Sequence, residues 1–123
     1  MNTAFKLSEK VRSKLVTPEV PTSSGCLVFD VMFIASDDGG NVRGVLEIYA
    51  INKSAEILIL YETLHPEFIW MELEASLLTG NYQILFVFCA EGTNPDTEGM
   101  LWLADVRVNN NSCTNSHGKP ILN

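Results

Sequence analysis

The chain has 123 residues, 46% of them hydrophobic and 19% charged, a composition that fills one globular core and excludes disorder throughout. Its formal charge of -7 is uneven: residues 1–14 carry a local +3 through Lys6, Lys10, Arg12 and Lys14, and the remainder is strongly acidic. An acidic body argues against nucleic acid and against anionic membrane surfaces, both of which need clustered Lys and Arg.

Residues 1–25 lack the apolar core of a secretory signal. Their basic start, with Phe5, Leu7, Val11 and Leu15, also fits a weak organellar presequence poorly, given Glu9. The longest uninterrupted apolar run, Ile84 to Ala90, is too short to span a bilayer as a helix. Residues 1–12 are expected to form an N-terminal extension, 13–113 one domain, and 114–123 a polar tail.

Along the chain, short runs rich in β-branched and aromatic residues alternate with turn chemistry. Lys14–Val20 carries Pro18 and suits an edge strand. Leu27–Ile34 follows Ser23-Ser24-Gly25 and stops at the Asp37-Asp38-Gly39-Gly40-Asn41 turn, and Val45–Ile51 follows that turn. Ile57–Leu64 ends before His65-Pro66, Tyr82–Cys89 before a Gly- and Pro-containing segment, and Met100–Val108 in an asparagine run. Phe68–Leu78 fits either a strand or a helix closed by Gly80. No helical patterns alternate with these runs, so βαβ topology is not expected. The run Tyr82–Phe88 is apolar at every position but Gln83, which fits a strand covered on both faces or a sheet whose outer face meets a partner.

Cys26, Cys89 and Cys113 make an odd set. In an oxidising compartment two pair and one stays over; in a reducing one all three are ordinary apolar residues. Cys89, inside the most apolar run, reads as a buried inert thiol. A Cys89–His65 nucleophile–base pair with Glu62 or Glu67 as orienter is conceivable, but a buried strand and a turn before proline are poor places for it. Cys113 and His117 form only half of a metal-ligand set, and Asp37–Asn41 lacks the alternating oxygen ligands of a calcium loop. No phosphate-binding glycine loop or nucleophile elbow is present, so no catalytic residue, cofactor or metal is assigned. Trp70 and Trp102, each flanked by apolar residues, are expected in the core rather than as platforms for sugar rings. The triplets Asn52-Lys53-Ser54 and Asn110-Asn111-Ser112 are N-glycosylation sequons placed in turns.

The order of these features resembles a known module. Leu15-Val16-Thr17-Pro18, then Cys26-Leu27-Val28-Phe29, then Gly44-Val45-Leu46-Glu47-Ile48-Tyr49 are similar to the middle of a MAM domain, the extracellular module of meprins, neuropilin-type receptors and receptor tyrosine phosphatases. Trp70, Tyr82-Gln83-Ile84-Leu85-Phe86, the closing Gly99–Val106 stretch and Cys113 follow in the family's order. The resemblance covers about residues 13–113 and lacks the family's opening section. It implies an all-β, antiparallel jelly-roll-like sandwich, a strand over Phe68–Leu78, and a Cys26–Cys113 disulfide. It further implies a non-catalytic extracellular or cell-surface role in protein–protein contact, adhesion or self-association. Some family members hold a cation, but Ala104 stands where the first of two paired aspartates is expected, and that site is not carried over. The alternatives are a carbohydrate-binding sandwich and a small cytosolic enzyme using Cys89.

Overall fold

The computed structural model describes residues 3–8, 13–22, 25–35, 42–91, 98–114 and 119–120. Among them are ten strands and no helix: β1 (Thr3–Ser8), β2 (Ser13–Val16), β3 (Val20–Thr22), β4 (Cys26–Ala35), β5 (Arg43–Ile51), β6 (Glu56–Leu64), β7 (Met71–Ser76), β8 (Gly80–Glu91), β9 (Glu98–Asn109) and β10 (Lys119–Pro120). One antiparallel sheet has the order β1-β9-β4-β7-β10 and the other β2-β8-β5-β6, with β3 also paired to β8. The protein is therefore an all-β, two-sheet antiparallel sandwich.

The strands form where the apolar runs predict them. The ambiguous stretch resolves as β7: Leu73 and Ala75 are buried, and Leu77 N–H donates to Gly25 at 2.9 Å, so the alternation has period two and not 3.6. Pro18 falls between β2 and β3, where its missing N–H costs no ladder bond. The first strand, β1, lies within the stretch expected as an extension and pairs with β9 from Thr3↔Leu103 to Ser8↔Glu98. Within the expected tail, Lys119 pairs with Glu72 at the free side of β7.

Inner faces supply the core. Phe29, Val31 and Phe33 of β4, with Leu101 and Leu103 of β9, meet Leu46 and Ile48 of β5 and Phe86 and Phe88 of β8. Two edge-to-face aromatic pairs cross between the sheets: Phe29–Phe86 at 5.6 Å and Phe33–Phe88 at 5.2 Å between ring centroids. Each such pair adds about 1 kcal/mol beyond its area burial. Gly44 leaves the space the second pair needs, since a Cβ there would stand 2.5 Å from the Phe88 ring.

Register decides what reaches the surface. Between β4 and β9 the pairing passes from Val28↔Arg107 to Asp30↔Ala104, so Asp105 and Val106 together oppose Phe29. Asp105 takes φ +53°, a left-handed conformation that a short carboxylate side chain tolerates better than most. This bulge inverts the alternation: Leu101, Leu103 and Val106 face inward, and Arg107 is turned outward instead of into the core.

Candidate interaction surface

The two outer faces differ in chemistry. On the β2-β8-β5-β6 sheet the inner positions Leu15, Phe86, Ile48 and Leu60 pack on the core, which leaves their neighbours facing out. Printed across that outer face is a row of directly opposed residues, Val16↔Leu85↔Tyr49↔Leu58, one from each of the four strands. A second row, Lys14↔Val87↔Glu47↔Tyr61, runs beside it. Val16 is 46% exposed, Leu58 49% and Tyr61 56%, while Leu85 and Val87 are buried. Tyr49 is fixed by its hydroxyl, which donates to Glu47 Oε2 at 2.8 Å. The second row carries a cation at one end, Lys14, an aromatic ring at the other, Tyr61, and between them Val87 and the anion Glu47.

The outer face of the β1-β9-β4-β7-β10 sheet is mixed: Trp102 opposes Met32 and Met100 opposes Ile34 on it, and a charged cluster lies beside them. Arg107 donates from Nη2 to Glu72 Oε2 at 2.8 Å and from Nη1 to Asp105 Oδ2 at 3.0 Å, and its Nη1 lies 3.8 Å from Asp30 Oδ1. Asp30 Oδ1 is buried without a hydrogen-bond partner. Burial, together with the nearby Asp105 and Glu72, raises the Asp30 pKa against the lowering pull of Arg107. Arg107, Glu72 and Glu74 line an open depression of about 630 Å³ rimmed by Asn109, Asn110 and Asn111.

The disulfide is formed. Cys26 and Cys113 are joined across 87 residues, closing the end of β4 onto the segment after β9. Beside it, Glu74 accepts from Thr114 N–H at 3.1 Å and Thr114 Oγ1–H at 2.5 Å, tying that segment to β7. Glu74 Oε2 also approaches Cys26 Sγ to 3.2 Å. Cys26, Cys113 and Glu74 cluster tightly enough to suggest metal ligands, but both sulfurs are consumed by the disulfide and neither can serve as a thiolate.

The remaining candidates separate. Cys89 is half-buried, and its place opposite Val45 puts it on the outward side of β8, which corrects the expectation of a buried thiol. The inward positions on that strand are Phe88 and Ala90. His65 is exposed and lines a recess with Glu62, Glu67 and Met71 that does not include Cys89. Trp102 is also corrected: opposed to Met32 on the outward side of β9, it is 37% exposed. Trp70 is half-buried just before β7. His117 and Asp37–Asn41 lie outside the described residues.

Both sequons are at the surface. Asn52 sits at the turn between β5 and β6, where its Oδ1 accepts from Ser54 N–H at 2.8 Å and Ala55 N–H at 2.9 Å. That leaves the side-chain nitrogen, the atom a glycan would occupy, outside the turn's hydrogen bonds. Asn110 is exposed on the rim of the polar depression.

Sequence reasoning found the cysteines and sequons but not the two surface rows. The one available signal was the unbroken apolarity of Tyr82–Phe88, which shows that an outer face is apolar without showing which residues of other strands line up on it. The Arg107 cluster carried no local signal, because its members come from three strands and depend on the bulge. No protein-family model and no curated protein sequence matches this chain.

Proposed function

We propose that this protein is a non-catalytic interaction module of the cell exterior, which contacts other proteins through the outer face of its β2-β8-β5-β6 sheet. The observation that carries the reading is the four-residue row Val16–Leu85–Tyr49–Leu58, apolar from one edge of that sheet to the other. A solvated antiparallel sheet ordinarily alternates apolar-in with polar-out, and an apolar row across its outer face departs from that pattern as a contact surface does. The Cys26–Cys113 disulfide supports an oxidising compartment. The order of motifs resembling a MAM domain, with the jelly-roll topology and adhesive role that implies, agrees with the same reading. Asn52 and Asn110 are then the expected glycan acceptors, and neither lies in the apolar row.

The edge of β6 is a less suitable contact than the face. Its pairing with β5 shifts register between Ile48 and Tyr49, and Glu62 lies on its inward side opposite Leu46. Bulges and inward charges are the devices by which sheet edges are protected against strand addition.

The test is saturable binding of the labelled, disulfide-bonded chain to cell surfaces, compared with a Leu58→Lys variant of unchanged fold. Loss of binding in the variant is the expected result, and equal binding by both chains contradicts the assignment of the face. The exposure of Trp102 favours carbohydrate binding as a second reading; it predicts a glycan-array signal that Trp102→Ala abolishes.

A further inference from the structure

We infer that, once the disulfide is reduced, Cys26, Cys113 and Glu74 form a site for a zinc ion that closes the same two segments. The inference stands apart from the interaction reading above and concerns the opposite sheet.

Geometry supplies the ligands. Among the described residues, these three are the one group of metal-ligating side chains whose donor atoms all lie within 4.8 Å of one another. A tetrahedral zinc ion takes thiolate sulfur at about 2.3 Å and carboxylate oxygen at about 2.1 Å, which sets its donors about 3.5 to 3.8 Å apart. Glu74 Oε2 already stands 3.2 Å from Cys26 Sγ. Cys26 is 1% exposed and paired to both β7 and β9, so its sulfur is held in place. Cys113 lies beyond the end of β9, outside any strand, and its sulfur is free to draw back when the S–S bond breaks.

The carboxylate is also held. Its Oε1 accepts from the Thr114 hydroxyl and its Oε2 from the Thr114 N–H at 3.1 Å, on the side facing the sulfur. Hydrogen bonds of this kind fix the direction of a ligating carboxylate. Glu74 and Thr114 line the open depression of about 630 Å³, which gives an ion a path to the cluster. Three protein ligands leave a fourth position for water.

Charge and softness name the occupant. Two thiolates and a carboxylate place three negative charges in this small volume, which is unfavourable until a divalent cation offsets most of them. Thiolate ligands select zinc over calcium and magnesium, which prefer oxygen.

The chemistry balances. A dithiol reductant passes two electrons to the disulfide and closes to its own cyclic disulfide, while the S–S bond breaks and each sulfur takes one proton. Zinc then replaces those protons: both S–H bonds break, two Zn–S bonds form, and the protons go to solvent. Disulfide and zinc are thus alternative closures of one site, the first suited to oxidising surroundings and the second to reducing ones.

The experiment reduces the full chain with dithiothreitol, removes the reductant without oxygen, and titrates zinc or cobalt(II). One ion per chain is expected, bound more tightly than about 1 μM, with a thiolate-to-cobalt absorption band and about two protons released per zinc. Zinc is expected to recover at least half of the melting temperature lost on reduction, and to leave the oxidised chain unchanged. Glu74→Gln, which keeps both cysteines, is expected to weaken zinc binding to the reduced chain at least tenfold. Cys89→Ser is expected to bind as wild type does, and calcium is expected not to displace the zinc. A reduced chain with no cobalt band and no gain in thermal stability overturns the inference. So does a zinc response that is undiminished in Glu74→Gln, vanishes in Cys89→Ser or yields to calcium.

Discussion

Arg107 on β9 reaches across the intervening strand β4 to hold Glu72 on β7, with Nη2 and Oε2 2.8 Å apart. Its other nitrogen takes the carbonyl and carboxylate of Asp105 at 2.8 and 3.0 Å. One guanidinium thus links three strands and offsets three carboxylates on a single face. Removing it leaves Asp30, Glu72 and Asp105 close together without their cation. Arg107 is 40% exposed, so water screens much of that repulsion. Arg107→Ala is expected to cost about 1–2 kcal/mol in denaturant unfolding, with Arg107→Lys recovering only part because lysine lacks the planar fork.

The pH dependence of this cluster has a definite sign. The Asp30 pKa is raised from its ordinary value of 3.8, with burial the largest cause. The folded chain therefore binds this proton more readily than the unfolded chain does. Across the window from the ordinary value up to the raised one, this group makes stability fall as pH rises. Asp30→Asn removes the charged form. The variant's melting temperature relative to wild type is expected to be higher at pH 7 than at pH 3. The reverse order would mean that the attraction of Arg107 outweighs burial.

Gly44 is predicted to be intolerant of any side chain. The space its Cβ would occupy belongs to the Phe88 ring, and Phe33 is also within 3.2 Å of that point. Gly44→Ala must push apart the edge-to-face pair that joins β4 to β8, an overpacking cost of about 1–3 kcal/mol. Chemical denaturation measures it, and a neutral result would show that the two rings can shift without loss.

The disulfide is expected to contribute substantially to stability. Cross-linking residues 87 apart restricts the unfolded chain by about 4–5 kcal/mol in the chain-entropy treatment. Replacing Cys26 and Cys113 by serine is expected to cost about 2–5 kcal/mol and to make the melting temperature insensitive to reducing agent. A wild-type chain whose melting temperature does not respond to reductant contradicts this.

The legible part of the fold was the part governed by local pattern. Alternating β-branched and aromatic runs placed β4, β5, β6, β8 and β9 to within a few residues, because burial of one face imposes period two on the sequence. What escaped was whatever depends on pairing between distant strands. Phe5 and Leu7 gave no sign that β1 joins β9, since the signal there is weak and the partner lies about 95 residues away. Trp102 and Cys89 were placed inside because their neighbours are apolar, yet register sets them outward while Leu103 and Phe88 turn in. The resemblance to MAM domains supplied the Cys26–Cys113 pairing, which three cysteines alone leave open. The apolar row could not be read from any one strand, because its four members acquire meaning only when β2, β8, β5 and β6 lie side by side.

The most direct test compares binding of the labelled, disulfide-bonded chain to cell surfaces across substitutions on the two outer faces. Leu58→Lys and Val16→Glu alter the β2-β8-β5-β6 face, whereas Trp102→Ala and Arg107→Lys alter the opposite one. The account predicts that the first two abolish saturable binding while the second two leave it within about twofold of wild type. Binding lost with Trp102→Ala and retained with Leu58→Lys would contradict it and move the functional surface to the opposite face.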